Sequence, residues 1–252
     1  MVDFIIKKSQ EFKENGFIVI ENFISLAEIN IIKNKVEGLK NHIKVDIYND
    51  RNGNLRRMEN FVKKDKLFVD LNEKIKNLLL SITLKEQALF KDKVNFKPPK
   101  GEGFYPHYDG IFQFTKSDGV TRNGWYEYAE DFNNVLLPLD DFTTQNGALE
   151  IAKKRNGNFA SLLDDTKRDG TPDIKESLVN ELEFFPIYCT KGSVLIFKHN
   201  CPHQSKVNKS PLDRISLYLT YTNLEDGDFY ERYFNDKHSS LNPYKALKGQ
   251  QD

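Results

Sequence analysis

The residue types best suited to chemistry are a histidine and an aspartate that stand one residue apart. His107 and Asp109 lie in the aromatic segment FYPHYDGIFQF, residues 104–114. Successive side chains of a β-strand point to opposite faces, so this pair would point one way while Tyr108 points the other. An imidazole and a carboxylate directed at one object predict half of a metal site. The alternative for such an isolated pair is a partly buried structural histidine among aromatic residues.

A third metal ligand would have to come from another strand, and the other close histidine pair supplies two candidates. His199 and His203 lie in the segment GSVLIFKHNCPHQSK. Two imidazoles and one carboxylate form the facial triad of non-haem Fe(II) oxygenases, which leaves three positions for a bidentate cosubstrate and O₂. The same spacing would suit two zinc ligands on a helix, but SVLIF reads as a strand and Pro202 disfavours a helix. These residues alone leave the choice between the two histidines open.

A possible anion site follows the second histidine pair. Arg214 and Ser216 begin the run of β-formers RISLYLTYT and would share one face of that strand. A guanidinium beside a hydroxyl suits a buried carboxylate, because arginine keeps its charge and binds a carboxylate through two parallel hydrogen bonds. The alternative is an ordinary surface arginine. Together with the metal-ligand pattern, this pair predicts a cosubstrate that carries a carboxylate.

The elements that must hold these residues are predicted to be helices first and strands afterward. A short helix, a strand over Phe17–Ile20 and a helix begun by the capping-box pair Ser25 and Glu28 open the chain. A further helix, LFVDLNEKIKNLLLSIT, ends near Ser81. From Lys93 the pattern changes to short β-like runs broken by glycine and proline. Such runs predict a sandwich or barrel with helices packed outside it.

Composition limits the partners and the compartment. The 252 residues include 37 basic and 37 acidic side chains, so no overall field attracts nucleic acid or an anionic membrane. Cys189 and Cys201 are too few to cross-link the chain, and the N-terminus has no apolar run typical of a signal peptide or membrane span. We expect a reduced, cytoplasmic protein whose partner is a small molecule. We also expect Cys201 to be a small buried residue, and His42 and His238 to be surface residues.

Over most of its length the chain resembles the Fe(II)/2-oxoglutarate-dependent oxygenases of the phytanoyl-CoA dioxygenase family, which includes ectoine hydroxylase, and four stretches carry the likeness. They read FKENGFIVIENFISLAEI, VNFKPPKGEGFYPHYD, NVLLPLDDFTTQNGALEIA and GSVLIFKHNCPHQSKVNKSPLDRISL. In this family the distal histidine is followed by Asn, Ser and Arg, the order found here as His203, Asn208, Ser210 and Arg214. The resemblance therefore selects His203, and His199 is expected to be a turn histidine. The family's Pro-Gly-Ser-His turn after NGAL is replaced here by AKKRNGN.

The resemblance implies an iron site and a cosubstrate site. His107, Asp109 and His203 would bind Fe(II), with 2-oxoglutarate and O₂ as cosubstrates. The implied reaction hydroxylates a C–H bond of a small polar metabolite and releases succinate and CO₂. The distal carboxylate of 2-oxoglutarate would be held by a second set of residues: Arg214 with Ser216, Asn95 as a further contact and Lys97 as a weaker candidate.

The implied fold is mainly β with flanking helices, a double-stranded β-helix or jelly roll of the cupin-like kind. One domain over residues 1–252 would have a helical part to about residue 90, a jelly-roll core over about 91–225 and a C-terminal extension over about 226–252. Two other functions stay open. A cupin-like divalent-metal enzyme would not need Arg214 and Ser216, and an inactive binding protein would use the same scaffold without turnover.

The stretch directly after the iron strand, residues 115–131, predicts a loop that closes over the substrate. Aromatic faces beside carboxylates would surround a substrate amine or quaternary ammonium group. The alternative is that the aromatic side chains anchor a solvated acidic loop to the sheet. A second long loop is predicted over residues 153–180. The aromatic and acidic residues of the first loop are Trp125, Tyr126, Glu127, Tyr128, Glu130 and Asp131.

Overall fold

The computed structural model describes residues 2–40, 42, 45–50, 53–115 and 119–239. Its helices are α1 (Val2–Asn15), α2 (Leu26–Leu39), α3 (Lys66–Thr83), α4 (Phe159–Asp164), α5 (Glu176–Val179) and α6 (Tyr230–His238). Its strands are β1 (Phe17–Ile20), β2 (Asp46–Asn49), β3 (Leu55–Glu59), β4 (Gln87–Lys97), β5 (Phe104–His107), β6 (Phe114–Thr115), β7 (Thr121–Arg122), β8 (Phe132–Pro138), β9 (Leu149–Ile151), β10 (Phe185–Pro186), β11 (Val194–Lys198), β12 (His203–Ser205) and β13 (Arg214–Asn223). Of the described helices, none combines the length and apolar character needed to cross a membrane.

Two antiparallel sheets form the centre of the fold. The larger has seven strands in the order β1-β11-β8-β13-β4-β3-β2, and the smaller has four in the order β10-β9-β12-β5. Leu136 of the larger sheet packs in one apolar cluster with Leu149 and Ile151 of the smaller sheet. Strands β6 and β7 form a separate two-stranded ribbon. The prediction of a mainly β fold with flanking helices is confirmed.

Local sequence signals place the first elements. Strand β1 has the predicted bounds, and α2 begins at the predicted capping box. Ser25 Oγ accepts a hydrogen bond from Glu28 N at 3.2 Å, and Ser25 N donates to Glu28 Oε2 at 3.0 Å. Helix α3 continues two residues beyond Ser81, to Thr83, where Leu84 takes a left-handed conformation with φ of 59° and ends the helix.

Strands β2 and β3 lie in the region that the sequence predicted to be helical, so that prediction was incomplete. Both are short and polar, and their local pattern is weak. They form because β3 pairs with β4, where Arg57 lies opposite Asn95 and Glu59 opposite Lys93. A pairing partner so distant in sequence supplies backbone hydrogen bonds that no local pattern reports.

The two faces of β13 have different environments. All ten of its residues are buried. Ile215, Leu217 and Leu219 belong to the main apolar cluster, together with side chains of α2 and α3. Arg214 and Ser216 alternate with them and therefore lie on the opposite face. Helices cover the apolar face, and the polar face is turned toward the smaller sheet.

A buried carboxylate joins β4 to two other parts of the chain. Asp92 is 1% exposed and accepts hydrogen bonds from the backbone N–H groups of Asn60, Phe61 and Val62. It also accepts one from Tyr230 Oη at 2.6 Å, at the start of α6. The carboxylate thus fixes the segment before α3 and the helix α6 to the sheet.

We expect Asp92→Ala to lower the free energy of unfolding by about 3 kcal/mol, because buried donors would lose their acceptor. Equilibrium urea denaturation measures this change. Asp70→Ala is the control, since Asp70 is 61% exposed in its ion pair with Lys66 and should change stability by less than about 0.5 kcal/mol. Equal losses in the two variants would contradict an anchoring role for Asp92.

Candidate metal centre

Strand pairing brings the three predicted metal ligands together. His107 of β5 lies directly opposite His203 of β12, with ring centroids 4.2 Å apart. Asp109 follows β5, and its backbone N–H donates to the carbonyl of His199 at 3.0 Å. One ligand atom from each of the three lies within 4.8 Å of the others. Within the described residues no second group of His, Cys, Asp or Glu side chains meets in this way.

Backbone carbonyls orient both imidazoles. Nδ1 of His107 lies 2.7 Å from the carbonyl oxygen of Tyr105, and Nδ1 of His203 lies 3.0 Å from that of Cys201. A carbonyl only accepts, so each Nδ1 is the protonated donor and each Nε2 keeps its lone pair for a metal. Burial lowers the pKa of His107 to about 3 and also lowers that of His203. Both rings are therefore neutral at physiological pH, as metal ligands must be.

An asparagine that the sequence pattern did not indicate holds the carboxylate of Asp109. Asn134 of β8 donates from Nδ2 to Asp109 Oδ2 at 2.9 Å. Its own Oδ1 accepts from Thr220 Oγ1 at 2.8 Å. Burial alone would raise the pKa of Asp109, but the fields of His203 and Lys93 outweigh it and hold the pKa below its ordinary value. Asp109 is thus an ionised carboxylate with one oxygen fixed in direction.

The other histidines and the nearby cysteine have the surroundings predicted for them. His199 lies in a turn after β11, outside the group of three, and its Nε2 is 3.0 Å from Tyr126 Oη. Cys201 is fully buried and donates from Sγ to the carbonyl of Gly16 at 3.3 Å. His42 and His238 are exposed residues.

The predicted cosubstrate residues lie side by side on β13 and β4. Ser216 is the pairing partner of Asn95. Arg214 is 3% exposed, stacks on Phe142 with its guanidinium carbon 4.4 Å from the ring centroid, and donates one N–H to the carbonyl of Gly147. Buried Arg214 Nε and Ser216 Oγ have no hydrogen-bond partner among the described residues, and neither does Asn95 Oδ1. Two buried donors without an acceptor fit a ligand carboxylate.

Lys97 adds a second basic group at this end of the sheet. It is the pairing partner of Arg214 and is 1% exposed. Its Nζ donates to Ser205 Oγ at 2.9 Å and to the carbonyl of Lys206. Burial, and then the neighbouring Arg214, lower the pKa of Lys97 to about 6. The ammonium of Lys97 thus has acceptors within the protein, whereas Arg214 Nε and Ser216 Oγ have none among the described residues.

A cavity of about 780 Å³ opens beside the three candidate ligands. His107 and Asp109 line it, together with Trp125 from the stretch that follows β5. Trp125 is buried, and its backbone N–H donates to the carbonyl of Gly110 at 3.0 Å. Gly110 has φ of +76°, and a Cβ there would lie 2.3 Å from the Trp125 ring. The glycine thus lets the tryptophan pack directly beside the candidate metal ligand Asp109.

The aromatic and acidic residues after β5 do not form the predicted site for a substrate amine or quaternary ammonium group. Asp131 instead accepts hydrogen bonds from Lys198 at 2.7 and 2.8 Å, and Glu127 accepts from the N–H of Asn123. Nζ of Lys91 lies 4.4 Å from the centroid of the Trp125 ring, so a protein cation uses that aromatic face. Residues 116–118 of the predicted closing loop lie outside the described residues, and closure itself stays a prediction.

Comparison with known proteins identifies the family. A family model described as Phytanoyl-CoA dioxygenase (PhyH) matches residues 12–216 of the chain. The chain belongs to the PhyH family. Membership confirms the predicted resemblance and the prediction of a dioxygenase that uses Fe(II), 2-oxoglutarate and O₂. The roles assigned to individual residues stay predictions.

Three similar proteins illustrate this PhyH relationship. The 2-aminoethylphosphonate dioxygenase of the uncultured bacterium HF130_AEPn_1 is 25% identical over 253 residues, which is 95% of this chain and 90% of the relative. The methylphosphonate hydroxylase of Gimesia maris is 29% identical over 153 residues, 61% of this chain and 52% of the relative. The crystal structure of EctD from S. alaskensis with 2-oxoglutarate and 5-hydroxyectoine has a TM-score of 0.68 at 17% identity, covering 87% of this chain and 76% of that one. The structural likeness confirms the predicted jelly-roll fold.

We expect Asn134→Ala to weaken Fe(II) binding about 10–100-fold, because Asp109 would lose the hydrogen bond that orients it. Anaerobic titration with Fe(II) measures the affinity. Asn133→Ala is the matched control, since Asn133 is also buried in β8 but its amide nitrogen donates to Gln87.

The double variant His107→Ala/His203→Ala gives the baseline for a chain without the centre. Fe(II) affinity equal to that of the parent in the Asn134 variant would show that the asparagine does not support the metal site. Parental affinity in the double variant would place the metal elsewhere.

Proposed function

We propose that the chain hydroxylates a C–H bond of a small polar metabolite, with Fe(II) held by His107, Asp109 and His203. The observation that carries the proposal is the meeting of two neutral imidazoles, each with a free Nε2, and one ionised carboxylate. Three such ligands on one side of an ion leave room for a chelating cosubstrate and O₂. The match to the PhyH family supports the same reaction class.

We assign the distal carboxylate of 2-oxoglutarate to Arg214 and Ser216. Their unpartnered buried donors support this assignment, since an empty donor pair in a dry interior is costly and a carboxylate would satisfy both. A cupin-like metal enzyme without 2-oxoglutarate would have no use for these donors. Asn95 is the adjacent contact, because it is paired with Ser216.

When bound, iron supplies the oxidising chemistry, which consumes O₂ and converts 2-oxoglutarate to succinate and CO₂. The protein contributes placement. Asn134 holds the carboxylate ligand, backbone carbonyls hold the imidazoles, and Arg214 holds the far end of the cosubstrate. The packed faces of Trp125 and of the strands around the centre keep bulk water away from the reacting C–H bond.

We expect Arg214→Gln to weaken 2-oxoglutarate binding by about 2–5 kcal/mol, because a buried charged partner of the carboxylate would be lost. Anaerobic calorimetry of the Fe(II)-loaded protein measures the affinity. Arg232→Gln is the control, since Arg232 is 57% exposed and belongs to α6. Equal 2-oxoglutarate affinity in Arg214→Gln and the parent would place the clamp elsewhere.

We expect the Fe(II)-loaded protein to release succinate only when 2-oxoglutarate and O₂ are both present. With a metabolite extract under ¹⁸O₂, a product should carry the label, because hydroxylation inserts oxygen from O₂. Mass spectrometry measures the succinate released and the ¹⁸O incorporated into a product in the extract. A product without label would correct the reaction to desaturation or ring closure, and the absence of succinate under all conditions would favour a binding protein or a different metal enzyme.

A further inference from the structure

Two lysines of β4 face the cavity beside the candidate metal centre. Lys91 and Lys93 are separated by one residue and so share the inner face of the strand, where they lie opposite Thr220 and Tyr218 of β13. Both line the same cavity as His107. Two neighbouring lysine side chains therefore line the cavity in which a substrate would lie.

Lys91 lies against two aromatic rings, and the carboxylates whose fields act on it are those of Glu59 and Asp109. Its Nζ lies 4.4 Å from the ring centroid of Trp125 and 5.7 Å from that of Tyr233. Among the described residues, no carboxylate oxygen forms an ion pair with it within 4.0 Å. Burial, and then the charge of Lys93, hold the pKa of Lys91 well below its ordinary value. An anion from outside the chain would favour the charged form of the half-buried Lys91, because it would offset the cost of desolvating the ammonium group.

The acidic groups nearby are already committed. Glu59 forms ion pairs with Lys237 and, at 3.4 Å, with Arg57. Asp109 is the one charged group of the candidate metal centre, and a divalent ion bound there would more than neutralise it. The carboxylates of 2-oxoglutarate would be used at the metal and at Arg214. In the loaded enzyme these carboxylates would be balanced by other cations, so an anion beside Lys91 and Lys93 would meet two basic side chains.

The geometry fixes this positive charge relative to the metal centre. Lys91 lies over the face of the Trp125 ring. The backbone N–H of Trp125 donates a hydrogen bond to the carbonyl of Gly110. Gly110 directly follows Asp109, so the ring that Lys91 contacts is anchored beside a candidate metal ligand. An anionic substrate group at Lys91 would therefore lie in the same cavity as the metal centre.

We propose that Lys91 and Lys93 form an oxyanion subsite and that the substrate is a small phosphonate. This inference rests on the hydroxylase function proposed above. Lysines act as compact point charges and suit a tetrahedral oxyanion that carries up to two negative charges, whereas planar carboxylates are better matched by the fork of an arginine. The hydroxylated carbon would be the one close to phosphorus, since the subsite adjoins the metal centre.

Binding of defined probes tests the subsite. Calorimetry is done anaerobically on protein loaded with Fe(II) and 2-oxoglutarate, with methylphosphonate and 2-aminoethylphosphonate as probes. Acetate and β-alanine are the carboxylate counterparts of the two probes, with the same carbon groups and a planar anion of lower charge. We expect the Kd of each phosphonate to be at least about tenfold lower than that of its carboxylate counterpart. A tenfold difference in Kd corresponds to about 1.4 kcal/mol.

Variants locate the anion. Lys91→Met should weaken phosphonate binding roughly 30-fold or more, while Lys91→Arg keeps the charge and should retain much of the affinity. Lys100→Met is the matched control, because Lys100 lines the same cavity but is exposed to solvent. Fe(II) and 2-oxoglutarate titrations accompany each variant, so that a loss at the lysine is separated from damage to the centre.

The outcomes distinguish the two proposals. A parent protein that binds Fe(II) and 2-oxoglutarate but prefers acetate, β-alanine or a neutral compound to the phosphonates would overturn the subsite and leave the hydroxylase function intact. Phosphonate affinity equal to that of the parent in Lys91→Met would also overturn it. A parent protein that fails to bind Fe(II) or 2-oxoglutarate would overturn the proposed function itself. The preference among probes is measured in the parent protein and does not depend on the folding of any variant.

Discussion

Helices that cover one face of the seven-stranded sheet decide what the other face can hold. Leu217 and Leu219 of β13 are buried in one apolar cluster with side chains of α2 and α3, and this burial stabilises the strand from one side. The alternate positions carry Arg214, Ser216 and Thr220, which are buried and polar, and Tyr218, which packs in the second apolar cluster between the two sheets. The interior chemistry depends on this division, because a strand with two apolar faces would have left no place for charges.

The polar face holds basic groups at two separate ends. Lys91 and Lys97 are six residues apart on β4, which corresponds to roughly 20 Å along an extended strand. Lys97 and Arg214 are pairing partners at one end, and Lys91 lies beside Trp125 at the other. Two sites for anions separated in this way would receive two different molecules. Lys91 and Lys97 lie on the same face of β4, and their distance along the strand would keep the acidic substrate proposed above apart from the cosubstrate.

Much of the fold and the core of the site could be predicted from sequence because their signals are local. A capping box requires only Ser25 and Glu28, and a two-residue period indicates a strand wherever it occurs. The side chains of His107 and Asp109 are expected to point the same way because the two residues are two positions apart in an extended segment. The choice of His203 over His199 came from the order of residues after it, which resembles that of the PhyH family, and the structure places His203 opposite His107.

Tertiary structure decided what depends on strand register. Asn133 and Asn134 are adjacent and equivalent in sequence, and only the pairing of β8 with β13 directs Asn134 to Asp109. Lys91 is one of 37 basic residues, and no local pattern separates it from the exposed ones. Strands β2 and β3 likewise exist through their pairing with the distant β4. Sequence by itself determined which residue types could bind a metal ion or a ligand carboxylate, and which of them share a strand face. Folding decided which distant side chains surround these residues, because a contact between strands depends on a register that neither strand encodes alone.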